Sequence, residues 1–358
     1  MNLFVFAIPA VLTLLLPLLG ILFTGRDITP FLAFPPKPVI LSHPGFSFPV
    51  FIGMAVFVLI VVLPFVQKGI AYKSDKQRPV RPLPLWGVAA CCCLVCFWML
   101  AWTRFKWMAP LQPHTFFPLW MSWIVFVNAL SHWRSGQCPM VTNPVRFILL
   151  FFVSAFFWWV FEFLNRFVGN WHYTGSQYTA LTYFVLATVS FSTVLPAVES
   201  MKAFLLTFDL FQNGFKEMPL PGNFLSRTSA LIILAVSCGL LLFVGIFPGQ
   251  LFPLIWVCPF CIFLACRILA GKPHIFSGIK NRDYTQVAAY AAAAAVCGIF
   301  WEMFNFYSLA RWHYSIPYVQ ALHVFEMPIL GYAGYLPFGL ECALIVDLVM
   351  HPVQSRTS

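Results

Sequence analysis

Charge is what this sequence has least of. Of its 358 residues, 9% are charged and 61% are hydrophobic, against about 25% charged in a soluble domain. So few charges cannot clothe a solvated surface, which excludes an ordinary soluble globular fold. The chain also lacks the glycine-rich phosphate loop of nucleotide hydrolases, paired histidines of the haem-binding kind and the histidine clusters of di-iron oxidases. ATP-driven transport, haem electron transfer and di-iron oxidation are thereby disfavoured. Polar and apolar residues do not alternate in stretches of about ten, which argues against a membrane β-barrel.

What is present is continuous apolar sequence. Runs near 20 residues recur, the length that crosses a bilayer as a helix. They fall at 3–23, 48–66, 85–102, 116–130, 147–164, 178–201, 228–247, 252–268, 286–305 and 318–350. This predicts an all-α, polytopic helical membrane protein with about ten transmembrane helices. The first run has no basic residue before it and reads as a retained helix, not a cleaved signal peptide.

Acid is scarcer than base: 11 Asp and Glu against 21 Lys and Arg, a net charge of +10. With the N-terminus inside, the outer loops hold six basic residues, Arg26, Lys37, Arg104, Lys106, Arg166 and Arg311, and the inner loops hold the other fifteen. That asymmetry predicts a multi-pass protein of the cell membrane, an inner membrane, with both termini cytoplasmic. The surplus of base then faces anionic membrane lipid and does not call for nucleic acid. Eleven cysteines sit mostly inside spans, as in "CCCLVC" from Cys91 and "CPFC" from Cys258. They read as small buried hydrophobes.

Two stretches repeat. "FEFLNRFVGNWHYTG" begins at Phe161 and "WEMFNFYSLARWHYSIP" at Trp301. Each has Glu, then Asn three residues on, then Trp-His-Tyr. Neighbouring segments match in the same order at an offset of 135 to 142, which predicts a tandem duplication of about 115 residues. Each copy has four spans, so the copies face the same way, related by a pseudo-two-fold axis along the membrane normal. The expected organisation is a two-helix extension at 1–84, a four-helix repeat at 85–206, a cytoplasmic linker at 207–227 and a second repeat at 228–358.

Six acids fall inside spans: Glu162, Glu199, Glu302, Glu326, Glu341 and Asp347. An acid at a span's centre costs on the order of 2.5–3.5 kcal/mol and is kept where it faces protein or a wet cavity. Four form duplicated pairs, Glu162 with Glu302 and Glu199 with Glu341. Helical spacing puts Glu162 and Asn165 on one face, and Glu302 and Asn305 likewise. The Asn amide is expected to hold the acid. Trp171, His172, Tyr173, Trp312, His313 and Tyr314 then lie at the membrane–water boundary, where Trp and Tyr form belts in any case. The histidines are not read as metal ligands, and no cofactor is indicated. The last span, 33 residues long, would be about 50 Å as a straight helix, across a hydrocarbon core of about 30 Å. Pro328, Gly331, Gly334, Pro337 and Gly339 predict a broken or re-entrant helix there.

The order of acid, eight or nine residues, Trp-x-Tyr, then a proline-bearing segment ending in Glu resembles the membrane lycopene cyclases. On that resemblance Glu162 and Glu302 match the family's Asp, Trp171 and Trp312 its Trp, and Glu199 and Glu341 its proline-linked acid. The chain departs from the family in having Glu199-Ser200 and Glu341-Cys342 where the family has two adjacent Glu, and four spans per unit where it has about three. "FEMPILGYAGYLPFGLE", from Phe325, is also similar to a set of bacterial membrane proteins, which implies a family and no activity. The cyclase resemblance implies acid/base isomerisation or cyclisation of an isoprenoid. Glu162, Glu199, Glu302 and Glu341 would then be catalytic, with Asn165, Trp171, His172, Tyr173, Asn305, Trp312, His313, Tyr314 and Glu326 binding the substrate. The residues read by themselves leave three classes open: an intramembrane cavity for a lipid-like molecule, a proton-coupled transporter, and a structural subunit of a membrane complex.

Overall fold

The computed structural model describes residues 3–34, 43–74, 82–175, 177–220 and 225–350. Lys37, Lys76, Arg78, Arg81 and Arg356 of the orientation argument lie outside them, as does part of the expected extension at 1–84. The long helices are α1 (Leu3–Phe23), α2 (Phe48–Ala71), α3 (Leu85–Trp102), α4 (Phe116–Ser135), α5 (Pro144–Val168), α6 (Ala180–Phe191), α7 (Val194–Leu205), α8 (Arg227–Ile246), α9 (Leu254–Leu269), α10 (Thr285–Phe306) and α11 (Tyr335–Met350). Four short strands join them: β1 (Trp171–Thr174), β2 (Arg311–Tyr314), β3 (His323–Val324) and β4 (Met327–Pro328).

Local chemistry sets the ends. Ser226 and Ser229 form a reciprocal capping box at the start of α8. Gly136 and Gly169 close α4 and α5 in the left-handed conformation, where a residue without Cβ is least strained. Among the described residues, eight segments are long and apolar enough to cross a membrane, so the chain is an all-α, polytopic helical membrane protein. Of the ten runs, those containing α4 and α9 do not reach that mark. α4 carries Asn128, Ser131, His132 and Arg134, and α9 has 16 residues.

Helices α5, α7, α10 and α11 form a ring in which α5 packs on α7, α7 on α10, α10 on α11 and α11 on α5. Outside it, α3 pairs with α4, and α4 docks on α7. In the same way α8 pairs with α9, and α9 docks on α11. α1 lies against α8 and α9, crossing α8 where Gly20 meets Gly245. Small residues at such a crossing let two backbones approach. The core is aromatic: Trp120, Phe161, Phe304 and Phe338 are fully buried, and Phe161 stacks on Trp256 at 4.8 Å.

The sixth and tenth runs are interrupted. α6 stops at Phe191 and α7 resumes at Val194. Ser154 repairs the gap: its Oγ donates to the Phe191 carbonyl at 2.7 Å and accepts from the Leu195 amide at 3.0 Å. The tenth run is not a 33-residue helix. Residues 318–328 are loop and a β3–β4 hairpin, Ile329–Gly334 is a 3₁₀ turn, and only α11 is regular. The prolines and glycines divert the chain before the span, beyond the break the sequence predicted.

Candidate functional site

The two repeated motifs meet. After Gly169 the chain turns back over the end of α5 and runs as β1; after α10 it does the same as β2. The strands pair antiparallel, with Trp171 opposite Tyr314, His172 opposite His313 and Tyr173 opposite Trp312. Exchanging the strands reproduces the pairing, with Trp facing Tyr twice about a central His–His pair. The two imidazole centroids are 5.7 Å apart. His313 Nδ1 lies 3.1 Å from Glu326, which also has Arg311 at 3.9 Å.

The acid of each Trp-His-Tyr motif, Glu162 and Glu302, is held by aromatic donors. Glu162 Oε1 accepts from Trp158 Nε1 at 3.0 Å, Trp171 Nε1 at 3.0 Å and Tyr173 Oη at 2.6 Å. Glu302 Oε1 accepts from Tyr314 Oη at 2.8 Å and Tyr335 Oη at 2.7 Å. Trp312 Nε1 donates to Tyr314 Oη at 2.9 Å, one bond further back. Burial, reinforced by the adjacent carboxylates, holds the Tyr173 and Tyr314 phenols far above their ordinary value, so both remain donors. The belt reading of the tryptophans does not hold for Trp171, which is 5% exposed and hydrogen-bonded inward.

The asparagines do not hold the acids. Asn165 Nδ2 donates to the Trp171 carbonyl at 2.8 Å, and its Oδ1 accepts from the Asn170 and Trp171 amides at 2.8 and 3.3 Å. Asn305 Nδ2 donates to the Trp312 carbonyl at 2.8 Å, and its Oδ1 accepts from the Trp312 amide at 2.9 Å. The returning strand crosses the last helical turn at the Asn, so the amide meets backbone before it can reach the carboxylate.

Beside this assembly lies a cavity of about 1260 Å³. One wall is the middle of α2, with Met54, Phe57 and Val61. The others are α5, α6, the start of α9 and the segment leading into α11. Glu162, Asn165, Trp171, His172, Tyr173, Trp312 and Tyr314 line it. Glu302 stands behind Tyr314 and Tyr335, which do line it; Asn305, His313 and Glu326 do not. Sequence reasoning missed Trp158, Arg166, Asn170, Trp256 and Tyr335. Trp158 and Arg166, one helical turn before and after Glu162, carried a signal in their spacing.

The four acids Glu162, Glu199, Glu302 and Glu341 do not share one hollow. Glu199 is 3% exposed, paired with Lys202 at 2.8 Å, and accepts from Tyr290 Oη at 2.9 Å. Glu341, also 3% exposed, has an Oε2 without a hydrogen-bond partner among the described residues. At the matching positions of the other segment, Leu344 stands for Lys202 and Leu150 for Tyr290. Among the described residues no group of three or more His, Cys, Asp or Glu is placed to hold a metal ion. The chain matches no protein-family model, no curated protein and no solved structure.

Proposed function

We propose that the protein binds a lipid-like or isoprenoid molecule in this cavity. The observation that carries the reading is a large, mainly apolar hollow with a hydrogen-bonded carboxylate, Glu162, in its wall. Apolar pockets with a few placed polar groups are the usual form of small-molecule sites. The wall formed by α2 supports entry from the bilayer, because no residue in the middle of that helix is buried. The repeated packing of α3–α4–α7 and α8–α9–α11, and the self-matching β1–β2 register, support a tandem duplication of two four-helix units. Arg26, Arg104, Arg166 and Arg311 belong to helix ends or connections on the ribbon side. The more basic opposite side supports cytoplasmic termini and a cell-membrane location.

The chemistry that suits the site is acid/base isomerisation or cyclisation. A proton from Glu162 adds to a carbon–carbon double bond. The carbocation faces Trp158, Trp171 and Trp256, each worth on the order of 2 kcal/mol when desolvated. Loss of a neighbouring C–H proton to the carboxylate restores an alkene, with no net change in protons or electrons. Native mass spectrometry of the detergent-purified protein is expected to show a co-purifying apolar molecule. Conversion of an added lipid extract is expected to stop in Glu162→Gln. A protein that carries nothing and converts nothing would overturn both halves of the reading.

A second reading, proton-coupled transport, is favoured by one oxygen each of Glu302 and Glu341 that has no hydrogen-bond partner among the described residues, beside the interrupted last segments. Intramembrane acids at broken helices are a recurring feature of carriers. It predicts pH-dependent flux into proteoliposomes with the substrate unchanged, lost in Glu341→Gln. A structural subunit would tolerate Gln at all four duplicated acids.

A further inference from the structure

The cavity wall carries a positive charge with no counter-charge in contact. Arg166 lies one helical turn beyond Glu162 on α5 and lines the cavity. Its Nη1 donates to the carbonyls of Phe31 and Ala33, at 2.5 and 2.8 Å. Its Nε is buried with no partner among the described residues. No described acid lies within ion-pair distance. Glu326 is taken by Arg311 and His313, Glu199 by Lys202 and Asp347 by Arg267. Glu162, one turn away, attracts the guanidinium at longer range without forming an ion pair with it, and its Oε1 accepts three hydrogen bonds from other groups. Asn170 adds a second, independent signal. It is 4% exposed, lines the same cavity, and its side-chain Oδ1 has no partner among the described residues. Oxygen and nitrogen of an amide exchange by a flip, so this group donates to an acceptor as readily as it accepts.

Unpaired charge and unsatisfied amides are costly in an apolar site. Here both sit at the ribbon end of a hollow that is otherwise aromatic and aliphatic. We infer that the ligand is an amphiphile with an anionic head, a carboxylate or phosphate held by Arg166 and Asn170, and an apolar chain lying along α2. This rests on the proposal that the cavity binds a lipid-like molecule, and it names the class. A guanidinium suits such a head because it presents a planar fork of donors to two oxygens at once.

Binding of geranylgeranyl phosphate, geranylgeraniol and inorganic phosphate, followed by tryptophan fluorescence in detergent, tests it. The phosphate ester is expected to bind at least about tenfold tighter than the alcohol, a difference of about 1.4 kcal/mol. The gap is expected to close in Arg166→Gln and in Asn170→Asp, which sets a like charge beside the head, and to persist in Arg166→Lys. Asn170→Asp leaves the Arg166 contacts to Phe31 and Ala33 in place, so it separates charge from folding. Equal binding of ester and alcohol, or a gap unchanged in both variants, overturns the inference while leaving lipid binding intact. Inorganic phosphate binding as tightly as the ester overturns it in favour of a plain anion site. Failure of both chain-bearing probes overturns the cavity reading itself.

Discussion

At the scale of single residues, the two acid sites reach one end by different means. Glu162 receives its third donor from Trp158, four residues earlier on the same helix. The matching position before Glu302 is Gly298. A Cβ there would stand 2.3 Å from the Tyr335 ring, so the glycine opens the space through which Tyr335 reaches Glu302. Gly298→Ala is therefore expected to destabilise the protein by about 1–3 kcal/mol, an overpacking cost, seen as a lower melting temperature in detergent. In a Tyr335→Ala background the same change should cost much less, because the two residues are coupled. Equal costs in both backgrounds would remove the swap. His172 gives a pH signature. Burial, with His313 alongside, lowers the His172 pKa below its ordinary value. The folded state then binds fewer protons than the unfolded one. The stability is whole above about pH 6.5, the unfolded value, and is lost as pH falls through the lowered one. Melting temperatures from pH 7.5 to 5 should fall in the parent and fall less in His172→Gln.

At the scale of elements, α2 stands apart from the bundle and is held by its ends. Near its start, the Ser47 amide donates to the Tyr318 carbonyl at 2.9 Å. At its far end Phe65 packs on Phe215 and Tyr284. Just past the helix, Tyr72 Oη and Ser74 Oγ donate to Asp209 Oδ2 at 2.6 and 3.1 Å. Between these ties, Phe57, Leu59 and Ile60 are more than half exposed. Asp209→Ala removes one tie at a residue that lies outside the helices of the four-helix ring. Its expected result is faster amide hydrogen exchange across the last turns of α2, with exchange in α10 and α11 unchanged. Spread of the effect through the ring would mean that α2 is integral to the fold. The existence of α2 was legible, because a continuous apolar run is the strongest signal a membrane sequence offers. Its detachment was not, since composition is the same for a helix facing lipid and one closing a cavity. The diversion of residues 318–334 was half legible. Proline and glycine announce a break, but only packing decides whether the chain re-enters as helix or turns as a hairpin.

At the scale of the whole molecule, the repeat announced that the Glu–Asn–Trp-His-Tyr motifs belong together, and the structure makes them one ribbon. What the repeat could not tell was the division of labour within it. Asn165 and Asn305 sit at helical spacing from the acids, yet they clamp backbone, because the strand returns over the helix end in a way no helical wheel represents. Glu199 and Glu341 match in sequence but part in environment, since Lys202 and Tyr290 exist on one side only. If the ribbon is the seam between two halves, it should hold them when the connecting chain is cut. His172 and His313 are directly opposed, and opposed residues of an antiparallel pair have Cα atoms roughly 4.5–5.5 Å apart, within reach of a disulfide. The double variant His172→Cys/His313→Cys, with a protease site placed in the linker 207–227, should run as one band after cleavage under oxidising conditions. It should separate into two bands on reduction, and each single variant should give two bands throughout. Two bands from the oxidised double variant would mean that the strands do not meet and that the seam lies elsewhere.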